Sequence, residues 1–99
     1  MYSKKEKYRN RKLLDAVYKV PCFVCGQNSE PCHSNLLAHG KSMGTKASDA
    51  AIMALCREHH MMLDQGKDMS KEERRAFIHE AISYTLIYML ENELIEVSG

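Results

Sequence analysis

The sequence predicts a single small α+β domain with flanking helices, stapled by something other than its own core. Three observations carry this. The chain has 99 residues, the length of one domain. A domain of that size buries only about two-thirds of its unfolded surface, so its core is thin. Four Cys and five His are a large share of so short a chain, and nearly all of them fall within residues 20–66. An apolar segment of helical period then follows, over residues 70–97.

Composition excludes several classes. Apolar residues are 44% and the net charge is +1, so no global charge points to a nucleic-acid or membrane partner. No apolar run reaches the roughly 18 residues that span a bilayer. The N-terminal stretch MYSKKEKYRNRKLL is basic but lacks an apolar h-region, so it does not read as a secretory signal. A cytoplasmic chain is expected, with no membrane contact. In a reducing compartment clustered Cys bind metal rather than pair. A structural metal also supplies folding energy that a thin core lacks.

The elements follow in order. Residues 1–19 form a basic leader and a short helix. Lys4, Lys5, Lys7, Arg9, Arg11 and Lys12 outweigh Glu6, and Leu13, Leu14, Val17 and Tyr18 give a helical pattern before Pro21. The leader reads either as a solvated terminus or as a contact to a nucleic-acid backbone. Residues 20–66 are the Cys- and His-rich module. VPCFVCGQNSEPC reads as a tight knuckle and a turn, His33 to Leu37 as a strand, and HGKSMGTKASD as a loop. From Ala50 the chain turns helix-like, with Gly66 as the C-terminal cap, although the residues before Cys56 could also run extended. In residues 70–97 Ser70 and Glu73 make a capping box, and Phe77, Ala81, Tyr84 and Tyr88 form the centre of an apolar stripe. That face packs over the module, and its width leaves room for a homodimer contact through this helix.

The chemistry lies in the Cys and His spacing. Cys22-x-x-Cys25-Gly26 is one half of a zinc knuckle, and Cys56-x-x-His59 repeats the spacing. Together they make a Cys₃His set, a closed structural zinc site. Counting alone also allows Cys22, Cys25, Cys32 and Cys56, with Cys32 otherwise a small buried apolar residue. His60 comes one residue after His59 and so points about 100° away on a helix. Asp64 shares the face of His60. An imidazole and a carboxylate with room for water suit a second ion, Mg²⁺ or Mn²⁺, acting on phosphate, with His33 as third member.

C-x-x-C, then a His, then a Gly-containing loop, then Leu55-Cys56-Arg-Glu-His59-His60 resembles the HNH endonuclease superfamily. More narrowly, PCHSNLLAHGKSMGTKASDAAIMALCREHHMMLDQG is similar to the small phage and prophage nucleases of the YbcO and Ref recombination-nuclease kind. The resemblance covers residues 20–66. It implies a zinc-stapled, treble-clef-like ββα-metal module, in which two strands and a helix surround a catalytic ion. It gives His60 and Asp64 the helix roles and His33 the first-strand role, as general base or as metal ligand. The sequence reads Cys32-His33-Ser34 where the superfamily carries His-His or Asp-His. The middle Asn is absent from its usual distance, and Asp49 is the nearest candidate, to orient His33 or to cap the segment after it. Asn35 is an alternative polar partner, His39 a substitute base or phosphate contact, and His79 an ordinary helix residue.

The resemblance thus implies a metal-dependent DNA endonuclease. A His takes a proton from water, the hydroxide attacks phosphorus, and the cation offsets charge on the phosphate and the leaving oxygen. Lys41 and Lys46 in the loop, with Lys4, Lys5, Arg9 and Arg11 in the leader, would contact DNA phosphates without reading bases. The competing reading is a non-catalytic zinc module that binds DNA or a protein partner.

Overall fold

The computed structural model describes residues 7–42, 44–66 and 68–97. In order these form α1 (Arg11–Val17), β1 (Glu30–His33), a 3₁₀ turn (Leu37–His39), β2 (Ile52–Leu55), α2 (Arg57–Gln65) and α3 (Lys71–Glu91). The two strands pair antiparallel, with Glu30 opposite Leu55 and His33 opposite Ile52. A small α+β fold is therefore observed, as composition and pattern predict.

β2 is the centre of the molecule. All four of its residues are buried. Met53 and Leu55 face a core of Cys22, Cys32, Leu63, Ile78 and Ala81. Ile52 and Ala54 face a second core of Ala16, Val17, Val20 and Met89. A strand buried on both faces reads as an unbroken apolar run, which is why Ala50–Leu55 looks helix-like by period. The extended alternative is the one the structure adopts, and α2 starts only at Arg57. The outer edge of β2 is closed by other elements. The Ala54 N–H donates to Thr85 Oγ1 of α3 at 2.9 Å, and the Ala54 carbonyl accepts from the Phe23 N–H at 2.9 Å. The first strand also shifts from expectation, covering Glu30–His33 rather than 33–37. Ser34 ends it, because its Oγ bonds His39 Nδ1 at 2.6 Å and accepts from the Leu36 N–H, bending the chain into the 3₁₀ turn.

α3 opens on the expected capping box. Ser70 Oγ accepts from the Glu73 N–H at 3.0 Å, and Glu73 Oε1 accepts from the Ser70 N–H at 2.8 Å. The helix stops at Glu91, short of the expected 97. Asn92 Nδ2 donates to the Tyr88 carbonyl, Glu93 takes a positive φ of 57°, and Leu94 folds back to pack beside Met89. Leu86, Ile87 and Leu90 stay exposed on α3, the strip that a homodimer contact through this helix would use. No helix of the described residues is long and apolar enough to cross a membrane.

Candidate metal centre and adjoining acid–base cluster

Two short segments bring the first site together. In the knuckle the Cys22 N–H donates to the Gln27 carbonyl at 2.8 Å, and the Gly26 N–H returns to the Cys22 carbonyl at 2.9 Å. Gly26 takes φ +75°, a conformation that a Cβ would strain. The second segment is the junction of β2 and α2, where Cys56 is the residue before the helix and His59 lies in its first turn. One donor atom each from Cys22, Cys25, Cys56 and His59 lies within 4.8 Å of all the others. Cys25 and Cys56 sulfurs are 3.7 Å apart, and His59 Nδ1 is 3.1 Å from Cys56 and 3.8 Å from Cys22. A tetrahedral ion with 2.3 Å Zn–S bonds needs sulfur–sulfur edges of about 3.8 Å. This cluster can hold a metal such as zinc.

The electrostatics agree. Burial opposes ionisation of Cys22, but N–H groups of Cys25, Cys56 and Val24 outweigh it and bring its thiol down to about 6. The Gln27 N–H favours the Cys25 thiolate, yet desolvation and the neighbouring Cys22 and Cys56 sulfurs push that thiol above its ordinary value. Crowded sulfurs that resist joint ionisation are what a single cation relieves. Cys32 is outside the set. It is buried in the core, and burial, with Asp64 and Glu30 adding, pushes its thiol up to about 12. The alternative set of four Cys is therefore not assembled.

His60 turns away from His59, as helix geometry requires. Its Nδ1 lies 2.7 Å from Glu30 Oε2 and its Nε2 lies 3.4 Å from Asp64 Oδ2. The His60 ring thus lies between two carboxylates, one on each nitrogen. Glu30 is the partner of His60 that sequence reasoning missed. It precedes His60 by thirty positions and arrives through strand register alone.

His33 forms a separate pair at the other end of β1. Its Nε2 lies 2.7 Å from Asp49 Oδ1. Asp49 is buried; its Oδ2 accepts from the Asn10 N–H at 2.9 Å, and its Oδ1 lies 3.3 Å from the Arg9 guanidinium. Burial raises the Asp49 carboxyl, but the His33 bond, the Asn10 N–H and the charges of His33 and Arg9 hold it below its ordinary value. An ionised Asp49 can only accept, so His33 donates from Nε2, and in the neutral tautomer that fits this bond the lone pair is on Nδ1. Of the two contacts considered for Asp49, the one to His33 is present.

Other expectations are corrected. His33 is not gathered with His60 and Asp64. Among the described residues, the Cys₃His set is the only group of three or more such donors close enough to share an ion. Arg9 is not a free basic residue, because its guanidinium donates to the Ala47 and Lys46 carbonyls as well as to Asp49. The leader is docked at Tyr8 and Asn10, whose carbonyl and N–H both bond Asp49, and Arg11 pairs with Asp15 at 3.3 Å. Lys4 and Lys5 lie outside the described residues. Lys41 is half-buried and Lys46 exposed. Asn35 does not reach His33, and its Oδ1 is buried without a partner. His39 bonds Ser34, and its ring stands edge-on to that of His79, centroids 5.3 Å apart.

A cleft of about 370 Å³ opens beside β1. Its lining comes from β1 (Glu30, Pro31 and His33), from α1 and its C-cap Tyr18, and from Lys46 and Arg57. A larger cavity of about 600 Å³, between Tyr8–Leu13 and the end of α3, contains none of the donors described above.

Among known proteins, "Uncharacterized protein YdfU" of Escherichia coli (strain K12) is 38% identical over 58 residues, 58% of this chain. The match spans 16% of that relative's length. No solved structure matches the chain. Residues 1–84 match the family described as Protein of unknown function (DUF968), and the chain belongs to that family.

Proposed function

We propose that this chain is a metal-dependent endonuclease of the HNH kind that hydrolyses DNA phosphodiester bonds. The observation that supports it best is the His33–Asp49 pair at 2.7 Å, exposed to a cleft that also carries Glu30, Lys46 and Arg57. A purely structural zinc module has no use for an oriented imidazole there.

In this reading His33 Nδ1 takes a proton from the attacking water, and Asp49 holds the ring and stabilises its charged form. Lys46 and Arg57 hold flanking phosphates as point and fork donors. His60 Nε2 and Asp64 Oδ2 would hold Mg²⁺ or Mn²⁺, with Glu30 fixing the His60 ring from behind, and the carboxylate oxygen with water in the open positions fits such an ion. When bound, that cation supplies charge stabilisation on the phosphate and on the leaving oxygen. The Cys₃His centre anchors the start of α2 and thereby sets the direction of His60.

Plasmid nicking with Mg²⁺ or Mn²⁺ tests the reading. The intact chain should nick. His33→Ala should lower the rate by about 10² or more with zinc content unchanged. His60→Ala should lose the divalent-dependent nicking and keep zinc. No nicking by the intact chain with either ion, or full activity of His33→Ala, would overturn it.

A further inference from the structure

We propose that Tyr18 is a stacking platform for an unpaired base, so the cleft takes single-stranded DNA or unpaired nucleotides rather than continuous duplex. The inference rests on the nuclease reading of the same cleft. Tyr18 ends α1 and is 60% exposed. Among the described residues its ring enters no aromatic pair and its hydroxyl no hydrogen bond. The other described tyrosines are engaged: Tyr8 with Asn10, Tyr84 with the Pro21 carbonyl, and Tyr88 with Tyr84. An aromatic ring left open to water at the rim of a cleft over His33 asks for a flat apolar partner.

The charges around it name that partner. Lys46 and Arg57 line the same cleft as Tyr18, together with Pro31. Arg57 is engaged by Glu30 at 3.1 Å through one face of its fork, which leaves other N–H donors free. Of the cleft-lining residues of α1, Arg11 is matched by Asp15, so these two carry no surplus charge for phosphates. A base on Tyr18 and phosphates on Lys46 and Arg57 suit one strand lying across the cleft. In a duplex each base is covered by its neighbours, and no face is offered to a side chain. Cationic grooves with aromatic platforms are how proteins hold single strands irrespective of sequence.

Fluorescence anisotropy tests this with the full chain, magnesium-free buffer, and labelled oligothymidylate against a duplex of equal length. The single strand should bind the tighter. Tyr18→Leu should lose roughly tenfold in single-strand affinity, leave duplex affinity unchanged, and keep zinc. Tyr18→Phe should bind as the parent does. Equal binding of both DNAs by the parent, or an unchanged preference in Tyr18→Leu, would overturn the proposal. A single-strand preference that depends on Tyr18 in a chain that never cleaves would uphold it and sink the nuclease reading instead.

Discussion

Asp49 does more at the scale of one residue than orient His33. Its two oxygens also receive the Asn10 N–H and the Arg9 guanidinium, so one carboxylate ties the N-terminal segment to the loop before β2. Asp49→Ala should therefore lower stability by about 2–3 kcal/mol in urea unfolding, because buried donors lose their acceptor. The sign with pH comes from its lowered carboxyl. Its contribution is present at neutral pH and above its ordinary value of 3.8, and is lost as pH falls through the still lower folded value. Cys56 is the other decisive residue, as a donor in the metal cluster and the residue on which α2 begins. Cys56→Ala should give a chain without zinc that has lost its folded circular dichroism signal, whereas His60→Ala should keep both. Much of this was readable from spacing. Cys22-x-x-Cys25 and Cys56-x-x-His59 name their own site, and adjacent His59 and His60 must diverge on a helix. Glu30 was not readable, since nothing local links it to His60. Arg9 misled, because a run of basic residues looks alike whether its members face water or a buried carboxylate.

The junction of β2 with α3 shows how an element is held by more than apolar area. β2 pairs with β1 on one edge only, and on the other Thr85 Oγ1 takes the Ala54 N–H while donating its own proton to the Ala81 carbonyl at 2.7 Å. Thr85→Val keeps the shape and removes the acceptor, so the buried Ala54 N–H loses its partner. A cost of about 1–3 kcal/mol is expected in denaturant midpoints, with zinc retained. Thr85→Ser should recover most of it. The sequence marks the start of α3 well, because a capping box is a local device. Its end carries no Gly or Pro, and the side chain of Asn92 and the positive φ of Glu93 stop it instead. β2 was ambiguous for the reason that makes it central. Burial on both faces erases the alternation by which a strand is known.

At the scale of the whole molecule, the long loop from Ser34 to Ala51 is pinned to α3 through His39 and His79. Burial, then the charges of His79 and Arg75, holds the His39 imidazole below its ordinary value of 6.5. A depressed folded value means that neutral His39 contributes its full stability above pH 6.5, and that the contribution is lost as pH falls below 6.5 through the folded value. Thermal midpoints should therefore drop on acidification in this window, and His39→Gln should flatten that part of the profile. A parent profile that His39→Gln leaves unchanged would assign the acid sensitivity to other groups.

The abutment of His59 and His60 has a genetic consequence. Neighbouring rungs of one helix face two side-chain clusters on different sides of it, so their phase is common to both. Inserting one residue between Cys56 and His59 would turn everything downstream by about 100° and advance it by about 1.5 Å, unseating both imidazoles at once. Letters in this stretch can drift, as the exposed Glu58 and Met61 suggest, but its length is frozen. Among the described residues, the loop from Ser34 to Ala51 makes no hydrogen bond to either imidazole, and insertions at its exposed positions, around Gly44, are where the chain can grow.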